Sequence, residues 1–432
     1  MRNSLILLEL NEINFDIAKL YIKQGRSLPG FKRVMEGNFI STFSENEYDK
    51  IEPWIQWASI HTGKTFEEHR LFRLGDIEKS NVKQIFEHVE SKGFSVGAIS
   101  PMNTKNNLNQ PAYFVPDPWT KTSTDGTFLS KIIHHALSQT VNDNSKEKIS
   151  IKSFFYFLIA CLTCLKLKDL ISLFIYGISC LKLKHRRALF LDKLIFKIHQ
   201  YFFIKKSPQF STIFLNGGAH IQHHYFFNSK ILKKSQQNPP WYIKAKLDPI
   251  LDMLIVYDEI LLELLNQKKS ELIIATGLSQ KPYDQNKFYY RLKDHKNFLN
   301  SLGIKFNALT PRMTRDFHIS FDSDDEALKC KKVLESLEVD ELKLFGEVEK
   351  KEKNLFVSLT YPKEISEKSF FNIKGEKFFL KQHVVFVALK NGMHQSKGFA
   401  FFSKGFSSFA LKDGVHVKNF FHAIDNFFDK AR

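Results

Sequence analysis

Four histidines are candidates for metal binding or proton transfer. His220, His223 and His224 lie within five positions of one another, and His394 follows much later in a Gly-x-His sequence. Because imidazole binds transition metals and exchanges protons near neutral pH, these residues could act as metal ligands or as general acid and base. The alternative, in which His220 and His224 are exposed histidines of a loop or a helix start without a ligand role, stays open.

Carboxylates and amides accompany the histidines after predicted strands. Polar segments at 9–12, 216–224, 275–280 and 391–394 each follow an apolar run. The carboxyl ends of parallel strands meet at one edge of a sheet, so we predict that these segments share one cleft. The predicted catalytic residues are Glu12, Glu52, His220, His223 and His224. The predicted substrate-binding residues are Asn11, Trp54, Trp57, Arg73 and Gln280.

These assignments rest on the chemistry of each residue type. A carboxylate beside an imidazole suits proton transfer without a metal, because the carboxylate fixes the tautomer. An exposed Trp can stack on a sugar ring or a base, and Arg binds phosphate with a planar fork. For Trp54 and Trp57 the alternative is packing beneath the site, and for Gln280 it is an ordinary loop position.

The elements that must position these residues alternate along most of the chain. Strands are predicted at 5–10, 39–43, 95–99, 210–215, 272–275 and 384–389, and helices at 15–24, 31–36, 82–92 and 250–265. This alternation predicts an α/β fold with a mostly parallel sheet sandwiched by helices. The core is assigned to residues 1–120, 208–310 and 380–432, and a small α+β insertion to 311–379.

A basic, aliphatic segment at 121–207 interrupts the core and predicts a helical cap insertion. Its uncharged runs at 153–165 and 171–181 are shorter than the roughly 20 residues that span a bilayer as a helix. They are interpreted as core helices of the cap, with a hairpin that enters one face of a membrane as the alternative. Cys161 and Cys164 have apolar flanks, which favours packing over a redox or zinc pair.

Composition restricts the class of protein and its partners. The 432 residues carry 63 Lys and Arg against 46 Asp and Glu, a net charge of +17, with 43 Phe and only four Cys. This excludes a disordered chain and a disulfide scaffold, and favours a reducing compartment. A basic surface attracts anionic lipid head groups or phosphorylated substrates, and no nucleic-acid motif is present. The apolar run at 5–8 is too short for a signal peptide, so we predict a cytoplasmic protein, with peripheral contact to the inner membrane face left open.

Several motifs resemble the alkaline phosphatase superfamily, in particular its type I phosphodiesterase, nucleotide pyrophosphatase and predicted phosphohydrolase branch. They are the opening strand at 5–12, the Leu-Pro-Gly-Phe helix at 28–37, the segment ending Ser-x-x-Thr-Gly at 53–63, the Ala-His-Ile-Gln-His segment at 219–223, Thr-Gly at 276–277 and Gly-x-His at 392–394. The resemblance implies the fold of that superfamily, and a site with two metal ions around a Ser or Thr nucleophile.

This chain departs from the family pattern at most ligand positions. The family's first Asp is Asn11, the nucleophile position falls at Pro53 or Glu52, and the Asp of its D-x-x-x-H motif is Ala219. The family's Asp-His pair is Thr-Gly at 276–277. His223 and His394 alone keep a metal-ligand type. Two neutral imidazoles do not balance two divalent cations, so we predict at most one Zn, Mn or Mg ion.

The functional prediction is an enzyme of this fold that cleaves or transfers a phosphate-type or glycosyl-phosphate group. Its metal site is reduced or absent, and a His/Glu cluster does the chemistry. The basic, apolar cap favours an anionic substrate such as a lipid-linked sugar phosphate of surface-glycan metabolism. Two alternatives remain: a non-catalytic relative that binds an anionic ligand, and a two-metal phosphodiesterase with rearranged ligands.

Overall fold

A computed structural model of the chain describes residues 4–142, 151–232, 236–311, 315–373 and 375–431. The strands are β1 Ser4–Leu10, β2 Asn38–Phe43, β3 Val96–Ile99, β4 Tyr113–Val115, β5 Phe210–Leu215, β6 Ser270–Ala275, β7 Ser279–Leu292, β8 Ala308–Pro311, β9 Asp316–Ser320, β10 Glu338–Val339, β11 Leu342–Lys343, β12 Glu349–Lys351, β13 Asn354–Ser358, β14 Phe370–Ile373, β15 Glu376–Phe379, β16 Val384–Gln395, β17 Lys397–Phe402 and β18 Val415–His416. The helices are α1 Phe15–Lys23, α2 Pro29–Met35, α3 Pro53–Thr62, α4 Phe66–His69, α5 Ile85–Ser91, α6 Phe128–Asn142, α7 Ile151–Cys164, α8 Leu167–Lys182, α9 Arg186–Lys206, α10 Gly217–Tyr225, α11 Pro249–Leu265, α12 His295–Ser301, α13 Asp324–Ser336, α14 Leu380–His383 and α15 Asn419–Ala431.

The main sheet has the strand order β18-β2-β17-β6-β1-β5-β3-β4. β1 pairs in parallel with β5 and with β6, and β3 continues the parallel part through β5 and β4. β17 runs antiparallel to both β2 and β6. The predicted fold class, a mostly parallel sheet flanked by helices, is therefore confirmed, while the antiparallel strand β17 was not predicted.

Helices cover both faces of this sheet because β1 and β5 are apolar on both sides. Leu5, Leu7 and Phe210 belong to a core that includes residues of α3, α5 and α15. On the opposite face, α9 packs against β5, and His199 of α9 makes a 2.8 Å hydrogen bond with Ser211 of β5. Both central strands are thus fixed from two sides, which gives their carboxyl ends a rigid support.

The register brings the residues after β1, β5 and β6 to one edge. Leu10 pairs with Leu215, and Glu9 pairs with Ala275, so the three strands end within one residue of each other. The next residues along the chain are Asn11, Asn216 and Thr276. The predicted convergence of polar segments at a single edge therefore holds for these three.

The chain divides into two compact units. The first comprises Met1–Lys234, Pro239–Pro282 and Gly392–Arg432, and it includes the main sheet and helices α6 to α9 of the predicted cap. The second comprises Ser235–Asn238 and Tyr283–Asn391, and it contains an antiparallel sheet of order β12-β13-β9-β8 with α13 packed on β13. The α+β insertion predicted at 311–379 falls inside this second unit.

The predicted cap segment forms helices α6 to α9 within the described residues. Cys161 and Cys164 are buried, and burial raises the pKa of the Cys161 thiol to about 11, in keeping with a packing role. No helix in the described ranges is long and apolar enough to cross a membrane.

Candidate functional site

Glu12 lies at the centre of the site, two residues after β1 ends. Its backbone has the left-handed φ of 62°, a conformation that costs a non-glycine residue roughly 1 kcal/mol. Two hydrogen bonds hold the backbone there: the Glu12 N–H donates to the Thr276 carbonyl at 3.1 Å, and Gln222 Nε2 donates to the Glu12 carbonyl at 2.8 Å. The strained turn directs a carboxylate that is only 2% exposed along the sheet edge.

His223 and His394 converge on that carboxylate. The Nε2 atoms of both imidazoles lie 3.0 Å from Glu12 Oε2, and they lie 3.2 Å from each other. His223 comes from the last turn of α10, and His394 comes from β16. The sequence placed His394 after the end of a strand at 384–389; that boundary is wrong, because β16 continues to Gln395 and carries His394 within it.

Two amides complete the surroundings of Glu12. Asn11 Nδ2 donates to Glu12 Oε1 at 3.0 Å, and Gln280 Nε2 donates to Glu12 Oε2 and to the Ala219 carbonyl. Asn11 is itself fixed, because its Oδ1 accepts from Trp57 Nε1 at 2.8 Å. The carboxylate therefore has donors on both oxygens, which is the arrangement that keeps a buried charge ionised.

The protonation of this cluster is strongly perturbed. Burial by itself would raise the pKa of Glu12, but the charges and hydrogen bonds of His394 and His223 hold that pKa well below its usual range. Burial likewise would lower the pKa of His394, yet Glu12 and, more weakly, Glu52 raise it to about 9. In the metal-free protein at neutral pH, an ionised Glu12 thus faces a protonated His394.

The second nitrogen of His394 is also oriented. The ring donates a hydrogen bond to the carbonyl of Ile51, and its Nδ1 lies 3.5 Å from Glu52 Oε2. Since Nε2 faces Glu12 and His223, we assign the bond to Ile51 to Nδ1. A proton fixed on Nδ1 leaves the Nε2 lone pair available once that nitrogen is deprotonated, which is how proteins prepare a histidine as a metal ligand.

The geometry of these ligand atoms fits one divalent ion. A zinc ion with nitrogen and oxygen ligands at 2.0–2.1 Å and tetrahedral angles separates neighbouring ligand atoms by about 3.3 Å. The three separations here, 3.0, 3.0 and 3.2 Å, are close to that value. Two Nε2 atoms in contact are unfavourable when both carry protons, whereas a shared cation satisfies both. Two histidines and one glutamate also form the ligand set of many catalytic zinc sites, where a fourth position stays open.

In the described part of the chain, Glu12, His223 and His394 are the one group of three or more His, Cys, Asp or Glu side chains whose ligand atoms all lie within 4.8 Å of one another. The other two histidines of the predicted trio lie beside His223 on α10. His220 is exposed, and its ring centroid lies 4.5 Å from that of His224, one helical turn further along α10. His220 and His224 thus pair with each other on one side of the helix, while His223 points to Glu12. The three rings occupy neighbouring positions of one helix, with the centroids of His223 and His224 6.4 Å apart, and His223 is the member of the trio that contacts Glu12.

The predicted substrate-binding residues fall into two groups. Asn11 and Gln280 contact Glu12, as described above. Trp57 is fully buried and uses its N–H on Asn11, so it offers no face to a ligand and follows the packing alternative. Trp54 is partly buried and donates to the Phe72 carbonyl at 2.9 Å. Arg73 is exposed in the following loop, where its backbone N–H donates to Asp76.

Glu52 lies at the start of α3, as the N-cap residue, with 31% of its side chain exposed. It is adjacent to His394 rather than to Glu12. The segment that resembles the family's nucleophile position therefore contributes a carboxylate at the rim of the site, and Pro53 forms the first turn of α3.

A Ser–His contact nearby does not form a nucleophile pair. Ser59 Oγ lies 3.1 Å from His69 Nε2, but His69 Nδ1 accepts the Leu71 N–H at 2.9 Å. The proton of His69 must therefore lie on Nε2, which donates to the serine and cannot accept its proton. Burial lowers the pKa of His69 to about 4, so it is neutral at physiological pH.

Sequence reasoning missed the supporting residues of the site. Gln222 fixes the strained turn, and Asn216 accepts a hydrogen bond from Asn11 at 2.8 Å. A second buried pair involves Glu9, three residues before Glu12, where His61 Nε2 contacts Glu9 Oε1 at 2.9 Å and Thr212 donates to the same oxygen. The one feature of the sequence that could have indicated Gln222 as a site residue is its position next to His223 in the polar segment 216–224.

Comparison with protein-family models finds no match, and neither does comparison with curated proteins. Solved structures do show similarity. Phosphonoacetate hydrolase from Sinorhizobium meliloti 1021 is 11% identical, with 98% of this chain and 95% of that chain covered and a TM-score of 0.42. Human ectonucleotide pyrophosphatase/phosphodiesterase 5 is 10% identical over 99% and 95%, with a TM-score of 0.44. Alkaline phosphatase from the Antarctic bacterium TAB5 is 9% identical over 99% and 98%, with a TM-score of 0.41.

Proposed function

We propose that this protein is a hydrolase or transferase of phosphate-type groups that works with one divalent metal ion held by Glu12, His223 and His394. The observation that carries the proposal is the triangle of ligand atoms with sides of 3.0, 3.0 and 3.2 Å. It combines a buried carboxylate with two imidazoles from different elements, which is more specific than a surface group of acidic residues.

The ligand charges favour an anionic substrate. One carboxylate and two neutral imidazoles leave a divalent ion with a net positive charge, and such an ion polarises a phosphoryl oxygen as a Lewis acid. The chain as a whole also carries a net charge of +17, which attracts anions at long range. Phosphate esters match both features.

The protein's own side chains have separable roles in this proposal. Glu12 and its two amide donors fix the position and ionisation of the carboxylate. Ile51 and Glu52 orient His394 through its Nδ1 side. Glu52 is partly exposed, lies 3.5 Å from His394 Nδ1 and is not a member of the ligand triangle, so in this proposal it is the group that would exchange a proton with the substrate or with water.

Within phosphate-type substrates, we propose a glycosyl-phosphate carried on a lipid. A glycosyl-phosphate, carried on a lipid in surface-glycan metabolism, would combine a phosphate for the site with a lipid for the apolar helices of the cap. The support is the basic composition and the exposed apolar side chains of α7 and α8.

A second candidate is proton transfer without a metal. It is favoured by the raised pKa of His394, which keeps a protonated imidazole against an ionised carboxylate at neutral pH, as in a general acid. In that reading the site still acts on an anionic group, but no ion occupies the triangle. The third candidate, a two-metal site, needs a further ligand cluster, and within the described residues the triangle above is the one such cluster.

Metal analysis of the purified protein separates these readings. We expect one equivalent of zinc or manganese by plasma mass spectrometry, lost in both His223→Ala and His394→Ala and kept in His88→Ala, a matched change at a surface histidine. Hydrolysis of bis-p-nitrophenyl phosphate should follow metal content. Two equivalents would support the two-metal reading, and activity that survives removal of all metal would support proton transfer. Metal content and hydrolysis that are both unchanged in His394→Ala would refute the proposed site.

A further inference from the structure

Helices α7 and α8 present apolar side chains to the outside along one stripe each. On α8, the stripe repeats every three to four residues, and its members are between 50% and 76% exposed. The exposed apolar residues of α8 are Leu167, Ile171, Phe174, Ile175, Ile178 and Leu181, and those of α7 are Phe155, Leu158, Ile159 and Leu162. We call these ten residues the apolar face. Exposed apolar side chains that repeat at helical spacing, rather than occurring singly, mark an interaction site.

The inner sides of the same helices are packed normally. Leu173 and Cys180 of α8 are buried, and α8 packs along α9. Ala160 and Cys161 of α7 are also buried, and α7 packs against α6 and α9. Each helix therefore has two apolar sides, one that supports the fold and one that does not. Folding of the first unit accounts for the inner side only.

The charges around the apolar face are almost all of one sign. Residues 151–187 contain seven Lys and Arg and a single acidic residue, Asp169. That carboxylate is already paired with Lys197 of α9, 3.1 Å away. The exposed cations are Lys152, Lys166, Lys168, Lys182, Lys184 and Arg187, and they flank the helices near their ends.

We infer that the apolar face docks onto an anionic lipid bilayer, with α7 and α8 lying in the plane of the interface. Apolar side chains that enter the head-group boundary, with flanking lysines that extend to lipid phosphates, are the composition of an interfacial helix. A second copy of the chain is a poorer occupant, because a self-complementary contact would bring the same cations face to face. No described helix combines the length and the apolar composition of a membrane span.

Vesicle flotation of the full chain tests the inference. We expect flotation with vesicles of phosphatidylcholine containing about one third phosphatidylglycerol, and at least about tenfold weaker binding to phosphatidylcholine alone or at high salt. The double variant Phe174→Asp/Ile178→Asp should bind at least about tenfold more weakly. A matched control is Leu328→Asp, which changes an exposed apolar residue of α13 and should leave binding unchanged.

The charge contribution has its own pair of variants. Lys166→Glu/Lys168→Glu should weaken binding to anionic vesicles severalfold, whereas Lys351→Glu/Lys353→Glu, the same change at exposed lysines of the second unit, should not. Circular dichroism melting of every variant checks that it is folded. Since Phe174 and Ile178 already point outward, their substitution should leave the melting temperature nearly unchanged.

Three results would overturn the inference: no flotation with anionic vesicles, flotation that Phe174→Asp/Ile178→Asp does not weaken, or a dimer in sedimentation velocity that this double variant dissociates. The last result would identify a second copy of the chain as the occupant. The inference does not depend on the proposed activity, so His394→Ala should float like the unchanged protein. A variant that loses metal but still floats bears on the proposed function alone, and a variant that keeps metal but no longer floats bears on the membrane inference alone.

Discussion

Metal binding at Glu12, His223 and His394 should compete with a proton on His394. An imidazole must be neutral to donate its Nε2 lone pair to a cation. In the metal-free protein the pKa of His394 is raised to about 9, because the charge and hydrogen bond of Glu12 outweigh the effect of burial. Glu12 is ionised over the whole neutral range, so it contributes no proton to this competition. One proton should therefore be released for each ion bound.

The size of the effect follows from that pKa. At pH 7 about one His394 in a hundred is neutral, so the apparent affinity for the ion is about 100-fold below its limiting value. Each pH unit between 7 and 9 should tighten the apparent dissociation constant about tenfold, which is about 1.4 kcal/mol per unit. Above pH 9 the dependence should level off.

Titration calorimetry with zinc gives both quantities. The apparent affinity is measured at several pH values, and the number of released protons is obtained from buffers with different ionisation enthalpies. Glu52→Gln is the informative variant, because Glu52 is one of the groups that raise the pKa of His394 and it is not a ligand in the triangle. Its neutral amide should lower that pKa, so zinc should bind several-fold more tightly at pH 7 and the curve should move to lower pH.

Two results would refute the reasoning. An affinity that is flat between pH 7 and 9, with no proton released, would mean that His394 is neutral in the metal-free protein or is not a ligand. Zinc binding that persists unchanged in His394→Ala would place the ion elsewhere. A weaker affinity in Glu52→Gln would instead show that Glu52 orients the ligand more than it stabilises the proton.

Three further changes test the surrounding structure. Asn11→Asp replaces the amide that donates to Glu12 with a second carboxylate, and should lower the free energy of unfolding by about 3 kcal/mol in urea denaturation; an unchanged midpoint would contradict it. The pKa of His69 falls from 6.5 to about 4 on burial, so the unfolded chain binds more protons and stability should decline by up to about 3 kcal/mol between pH 6.5 and 4, less steeply in His69→Gln. Gly392→Ala places a Cβ 2.1 Å from Gln280 Oε1 and 2.8 Å from the Gln222 carbonyl, and should weaken zinc binding about tenfold by displacing Gln280 from Glu12; equal affinity would contradict that.

The parallel part of the sheet could be predicted because its strands are apolar on both faces. The strand predicted at 210–215 is β5 as observed, and the helix predicted at 250–265 differs from α11 by one residue at its start. β17 was missed although Phe399, Phe401 and Phe402 are strand-forming residues. It follows β16 after a single residue, so no turn signal separates the two, and its antiparallel pairing with β2 depends on contacts far apart in the sequence.

The sequence predicted some residues of the site and not others, because local spacing is visible in a sequence and packing between distant segments is not. Spacing identified His223 and His394, and strand ends identified Glu12, Asn11 and Gln280. The spacing of His220, His223 and His224 could not show which imidazole contacts Glu12, because residues three and four positions apart share one face of a helix. The burial of Trp57 depends on how α3 packs on the sheet. Apolar and polar residues are mixed along α3, so the sequence does not show which side of the helix faces the core.

The ligand charge in this site lies one residue further along the chain than in the family it resembles. Position 11, where that family has an aspartate, holds an asparagine whose amide donates to Glu12 rather than binding an ion. Thr276 at the Asp-His position uses its hydroxyl to accept the Phe399 N–H at 2.9 Å, a bond that supports β17. The left-handed turn at Glu12, together with a side chain longer than aspartate, brings a single carboxylate back to the sheet edge between the two histidines. A site with one carboxylate and two imidazoles would balance one divalent ion. Under the proposed function, the change at residue 11 and the strain at residue 12 would together favour a mononuclear over a binuclear centre.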